Sequence, residues 1–310
     1  MNKNLYKLKE KRRRALCAIT FFLMGAFVFS SCKTEAPKPQ ASEAKREFLD
    51  DREKKVLLPA KVDRAVSLAP NITEIVFAVG AGKKLVGVTT FCNYPEEAKE
   101  IQKVGDTLKP NIENIIALKP QVVFVSTASQ LEAFTETLEK QGIAVFVTNP
   151  SSFEDIYKSI ESIGGIFGEE EKSKAVVDDM QKRIAEVGAK ARNENKVKTF
   201  VQIDKSLYTI GKESFLTDLI EKAGGESSTK DVETAYPKIS KEKALALDPE
   251  VIILSESPDN NEPNEVFKNS LAVKNNRVFK VNADILSRPG PRLVDALETI
   301  AKSLHPEKFE

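Results

Sequence analysis

Residues 113–126 read ENIIALKPQVVFVS, and residues 242–255 read EKALALDPEVIILS. The two stretches align without a gap: Glu113 with Glu242, Ala117-Leu118 with Ala246-Leu247, Pro120 with Pro249, Val122 with Val251, Ser126 with Ser255. Each reads as a short helix opened by a glutamate, a proline break, and an apolar run of strand length. A unit that recurs across so long a separation predicts two lobes built alike. Two lobes enclose a cleft, and clefts are where small ligands bind.

Outward from the repeat, strands and helices alternate. Residues 64–69 (RAVSLA) read as a strand. A helix follows, with Ile72, Ile75, Val76 and Val79 on one face, stopped by Gly80 and Gly82. Leu85 to Thr90 is a second strand, and Pro95 opens a short helix. After the first repeated unit come a helix over 130–141 and a strand over 143–148. This rhythm predicts an α/β fold with a parallel sheet. From Phe153 the pattern turns helical. One helix ends at Gly164-Gly165, and another over 169–193 carries Val176, Val177, Met180, Ile184, Val187 and Ala191 at spacings of three and four. At ~1.5 Å per residue it would span roughly 37 Å, suiting a rigid strut between lobes. The second lobe restarts with a strand over 198–203 and a helix from Phe215 to Gly224-Gly225. Its Thr217-Asp218-Leu219-Ile220 echoes Thr73-Glu74-Ile75-Val76. The first lobe has more residues between echoed helix and repeat, which the strand at 85–90 would account for. A short helix near 264–270, a strand over 277–281 and a helix over 291–304 close the chain.

The fold class expected is therefore α/β: two Rossmann-like lobes with central parallel sheets, joined by a long rigid backbone helix. The organisation expected is a signal segment over 1–32, a flexible tether over 33–60, an N-terminal lobe over 61–150, a helical linker over 151–195, and a C-terminal lobe over 196–310. The signal segment has a basic opening (Lys3 to Arg14) and an apolar run from Ala15 to Phe29, too short for a comfortable membrane span. It ends Phe29-Ser30-Ser31-Cys32, which resembles a bacterial lipobox, with Cys32 the lipidated residue. The polar Pro/Ala/Lys/Glu-rich stretch after it cannot bury a core.

Composition excludes several functions. The formal net charge of +1 gives no electrostatic footprint for nucleic acid. Three cysteines, one in the signal segment and one a lipid acceptor, leave Cys92 alone and provide no disulfide framework. Cys92 reads as a half-buried small hydrophobe. The one histidine, His305, lies at the C-terminal end. A catalytic triad needs an imidazole base and a bare zinc site usually several imidazoles, so neither is expected in its usual form. Tryptophan is absent, so aromatic ligand contacts fall to Phe and Tyr.

Over residues 62–305, the order of RAVSLAPNITEIVFAVGAGKKLVGVTTFCNYPEEAKEIQKVGD, NIENIIALKPQVVFVS and RPGPRLVDALETIAKSL resembles the helical-backbone substrate-binding proteins of ABC importers. It resembles above all the vitamin B12 binders, and behind them the ferric-siderophore and haem binders. The resemblance implies a lipid-anchored, non-enzymatic protein on the extracytoplasmic face. It would hold a metal-chelate ligand between its lobes, with no intrinsic cofactor, and release it to a permease dimer in the membrane. It also implies that Glu113 and Glu242 dock on the permease, since exposed carboxylates placed symmetrically on two lobes suit a two-fold partner. Phe91 matches an aromatic of the B12 binders, Tyr236 a tryptophan, and Asp284 a ligand-contacting aspartate. Tyr94 and Arg288 lie in the same loops and complete the expected ligand set. Thr107 and Ser126 stand where those relatives carry tryptophans. A cobalamin stacks on aromatics and offers amides to a carboxylate such as Asp284. The alternative cargo, an anionic ferric siderophore or haem, would favour cations such as Arg288 and Arg292. An envelope α/β enzyme is the reading from another class, opposed by the missing imidazole.

Overall fold

The computed structural model describes residues 44–126, 132–192 and 196–309. The signal segment and the lipobox with Cys32 lie outside the described residues. Within them, the tether expected over 33–60 is overtaken by structure. Residues 45–59 form an antiparallel hairpin of β1 (Lys45–Leu49) and β2 (Lys55–Pro59). Alternation explains it: Val56 and Leu58 are buried while Lys55 and Leu57 face out. Between the strands the chain turns through Glu53, at φ 61. Arg46 Nη1 and Nη2 donate to the carbonyls of Gly165 and Ile166 at 2.7 and 2.6 Å, fixing the hairpin to the fold. The charge-rich composition concealed a hairpin whose buried apolar residues, Val56 and Leu58, belong to β2, while β1 turns Arg46 and Phe48 inward.

The first parallel sheet contains β3 (Ala65–Ser67), β4 (Leu85–Val88), β5 (Val122–Ser126) and β6 (Ala144–Thr148), in the order β4-β3-β5-β6. Three helices join these strands: α1 (Pro70–Ala78), α2 (Ile112–Ala117) and α3 (Glu132–Lys140). Then α4 (Phe153–Phe167) and α5 (Glu170–Ala191) lead to the second sheet. There β7 (Val197–Gln202), α6 (Phe215–Lys222), β8 (Gly225–Ser227), α7 (Lys241–Leu247) and β9 (Val251–Glu256) are followed by the short α8 (Leu271–Lys274) and β10 (Val278–Asn282). The chain closes with α9 (Ala283–Leu286) and α10 (Leu293–Leu304). The second sheet runs β10-β9-β7-β8 and is also parallel. Counted within each lobe, both sheets have strand order 2-1-3-4. The strand at 85–88 is therefore not extra, because β8 is its counterpart. The first lobe is longer chiefly in the loop over 89–111, set against 228–240 in the second.

The repeat that decides the fold reproduces local chemistry residue by residue. Asn111 and Ser240 cap α2 and α7, accepting from the backbone N–H of Asn114 and Lys243. Ile115 and Ala244 are the buried residues of the two helices. Lys119 (φ 48) and Asp248 (φ 39) both turn left-handed just before the shared proline. Gln121 Oε1 accepts from the N–H of Asp63 and Arg64, and Glu250 Oε2 from that of Lys198. Each of these side chains ties the entry of the third strand to the entry of the first.

The central strands are buried on both faces. Val122 and Phe124 of β5 enter one core, and Val123 and Val125 another. In β9, Val251 and Ile253 join the same first core, while Ile252 and Leu254 enter a third. The first core is thus common to both lobes. It contains the apolar faces of α1, α4, α5, α6 and α10. The linker expectation is corrected in one detail: Gly164-Gly165 does not end α4, which runs to Phe167 and closes on Gly168 at φ 71. A Cβ at Gly164 would come within 2.3 Å of Ser173 Oγ on α5, so glycine there allows the two helices to touch. Helix α5, about 33 Å long at ~1.5 Å per residue, buries one stripe: Ser173, Val177, Met180, Val187 and Ala191. It packs on α1 and α4 at one end and on α6 and α10 at the other.

Candidate ligand-binding cleft

In open α/β sheets the strand order reverses at one point, and loops leaving the carboxyl ends there part to leave a crevice. Here the reversals fall between β3 and β5 and between β7 and β9. One cavity of about 1160 Å³ lies where the two sets of loops face each other. Ala69, Pro70 and Asn71 after β3 line it, as do Ser126 on β5, Ile203 after β7 and Ser255 on β9. Its volume lies above the roughly 300–1,000 Å³ of ordinary small-molecule sites.

Four of the five expected ligand residues line this cavity: Phe91, Tyr236, Asp284 and Arg288. Phe91 leaves β4 in the first lobe, and Tyr236 lies between β8 and α7 in the second. Both rings are unusually open for their size, at 54% and 46% exposure. Although nearly half of Tyr236 is exposed, desolvation pushes its phenol up against the pull of a hydrogen bond with Ser214. Thr107 and Ser126 also line the cavity, where larger side chains would narrow it. Tyr94 does not line it. Its ring lies under the Arg292 guanidinium, 3.9 Å from ring centroid to Cζ. Cys92 is fully buried, with Sγ 3.2 Å from the hydroxyls of Thr73 and Thr89.

Arg288 and Arg292, the cations that an anionic ligand would favour, both have carboxylate partners within the protein. Arg288 Nη1 donates to Glu74 Oε1 and to Asn93 Oδ1, each at 2.8 Å. Its Nη2 lies 2.7 Å from Asp284 Oδ1 and donates to the Phe91 carbonyl at 3.3 Å. Arg292 is not among the residues lining the cavity and is held on Glu74, with Nε–Oε2 at 2.8 Å and Nη2–Oε1 at 2.5 Å. That pairing raises the Arg292 guanidinium pKa further. Asp284 is not a helix cap: that role falls to Asn282, which accepts from the N–H of Asp284 and Ile285. The Asp284 carboxylate is free for Arg288 and for Asn93 Nδ2, which donates to it at 2.8 Å.

Glu74 is the residue that sequence reasoning passed over. It sits on α1 between Ile72 and Ile75, and is buried. An acid in so apolar a helix was the available signal, together with its echo in Asp218. Among the described lining residues Arg288 is the one cation, and Asp284 and Glu213 are the acids. The two docking candidates lie apart from the cleft, exposed in the first turns of α2 and α7. The Glu242 carboxyl is held below its ordinary range by its own backbone N–H and by the Ser240 hydroxyl. Among the described residues no helix is long and apolar enough to cross a membrane.

The profile of the family described as "Periplasmic binding protein" matches residues 66–285. The chain is 31% identical to the "Uncharacterized ABC transporter substrate-binding lipoprotein YvrC" of Bacillus subtilis (strain 168), over 97% of this chain and 99% of that one. It is 30% identical to a vitamin B12-binding protein of Vibrio parahaemolyticus, over 76% of this chain and 87% of that one. The solved structure of the periplasmic vitamin B12 binding protein BtuF of Vibrio cholerae matches with a TM-score of 0.69 at 26% identity. It covers 80% of this chain and 99% of that one.

Proposed function

The chain belongs to the periplasmic binding protein family, as an ABC-transporter substrate-binding protein rather than an enzyme, and from that membership we propose that its cargo is a corrinoid. The observation that carries this reading is the charge balance of the cleft. Arg288, the one cation among the described lining residues, already engages Glu74 and Asp284, while Glu213 adds a further acid. A carboxylate-bearing haem or siderophore would lose water and meet acids without a free cation, which is costly. A corrinoid presents a broad face and neutral amides. Phe91 and Tyr236, on opposite lobes, offer it two apolar surfaces, and Asp284 can accept from its amide N–H groups.

Delivery follows from the same reading. Glu113 and Glu242 would meet basic residues of a two-fold permease, one on each lobe. Lipid attachment at Cys32 would hold the protein at the extracytoplasmic membrane face. The near full-length similarity to a protein named as a lipoprotein supports this. The test of cargo is an absorbance spectrum after incubation with cyanocobalamin, haem or ferric catecholate, each followed by desalting. Cyanocobalamin is expected to stay with the protein. Retention of an iron complex alone would sink the corrinoid reading. For the anchor, Cys32→Ala is expected to move the protein from the membrane fraction to the soluble one.

A further inference from the structure

Two echoed acids, Glu74 on α1 and Asp218 on α6, occupy the same place in the two lobes. Each reaches out of its own lobe. Glu74 holds Arg288 and Arg292, which follow β10. Asp218 Oδ2 accepts from the N–H of Phe153, at the start of α4 just past β6, at 3.0 Å. The Glu74 contact continues into the cavity, because Arg288 also grips Asp284 and Asn93, and Asn93 grips Asp284. The chain of contacts runs from a carboxylate 4% exposed, through a guanidinium whose residue is 7% exposed, to a carboxylate open to the cavity.

Given the ligand site proposed above, we infer that Glu74 is a positioning residue for ligand recognition, acting through Arg288 to hold Asp284 and Asn93 in register across the lobe interface. Asp284 sits on a short helix at the edge of its sheet, with its carboxylate in solvent contact. Left alone, such a side chain samples several rotamers. Two charge-assisted contacts, from Arg288 and from Asn93 of the opposite lobe, select one of them. Affinity for an amide-bearing ligand therefore depends on a residue that lines no part of the cavity.

The test uses the full chain. Glu74→Gln keeps the side-chain shape and removes the charge. Without ligand, it is expected to speed amide hydrogen exchange over 283–292 and 91–94 while leaving β5 and β9 protected. With cyanocobalamin as probe, Glu74→Gln and Asp284→Asn are each expected to weaken binding about tenfold or more. The double variant is expected to be no weaker than the worse single one, since both cut the same chain. Losses that multiply, or exchange that stays at the wild-type rate in those segments, would overturn the inference. A variant less stable but with wild-type affinity would do so too. Should Glu74→Gln not fold, Arg288→Gln cuts the same link and leaves Glu74 paired with Arg292, with the same outcomes expected. A wild-type protein that retains no cyanocobalamin would refute the cargo reading, while hydrogen exchange would still decide the role of Glu74.

Discussion

Phe91 and Tyr236 are large apolar surfaces left half in water, on facing lobes, where burial by a ligand is the gain still open to them. Truncating either should cost binding and little stability, since neither ring belongs to a core cluster. Phe91→Ala and Tyr236→Ala are each expected to weaken cyanocobalamin binding by about 1–2 kcal/mol, read by equilibrium titration. Thermal midpoints should stay near that of the wild type. These two residues were legible in the sequence because the family pattern places an aromatic at each. Tyr94 was drawn in from the loop that carries Phe91. Its true partner, Arg292, lies far off in sequence, and no local pattern announces a contact between them. The same distance hid Glu74. Its burial depends on two arginines more than two hundred residues away.

At the scale of elements, the repeated unit was readable because much of its structure is local: a capped helix, a buried contact and a left-handed turn before the proline. The hairpin β1–β2 and strand β8 were not. They are short, charged or glycine-bearing; β1 and β2 pair only with each other, and β8 pairs along β7, which other contacts have already placed. The contact between α4 and α5 gives a prediction with opposing terms. Gly164→Ala should gain up to about 1 kcal/mol of helix propensity. The new Cβ would meet Ser173 Oγ and Cβ at 2.3 and 2.4 Å, and overpacking typically costs ~1–3 kcal/mol. The second effect should win, giving net destabilisation in urea titration, and adding Ser173→Gly should recover much of it. Further along α5, Arg183 pairs with Asp295 at 2.6 Å and with Glu298 at 2.9 Å on α10. The Arg183 hydrogen bond holds the Glu298 carboxyl below its usual range. Its stabilisation is therefore complete above the ordinary glutamate value of about 4.3 and fades as pH falls through the depressed one. Arg183→Met should cost ~0.5–1 kcal/mol near neutrality. The gap from wild type should close below that range, as measured by urea midpoints across pH.

For the molecule as a whole, the proposed function assigns binding and delivery to two separate surfaces. Glu113 and Glu242 lie away from the cavity, so Glu113→Lys with Glu242→Lys is expected to leave cyanocobalamin binding intact and abolish uptake by cells. Uptake by the double variant would refute the docking assignment. The common core predicts little opening: scattering should show the same radius of gyration with and without ligand. That core also determines how the chain can fold. Helices α1, α4 and α5 complete an apolar layer whose other half is α6 and α10. A fragment ending before β7 would expose its side of that layer to water, and so would a fragment starting there. Although the two sheets look like separate modules, neither half should be obtainable alone as a folded monomer, and the whole should melt in a single calorimetric transition.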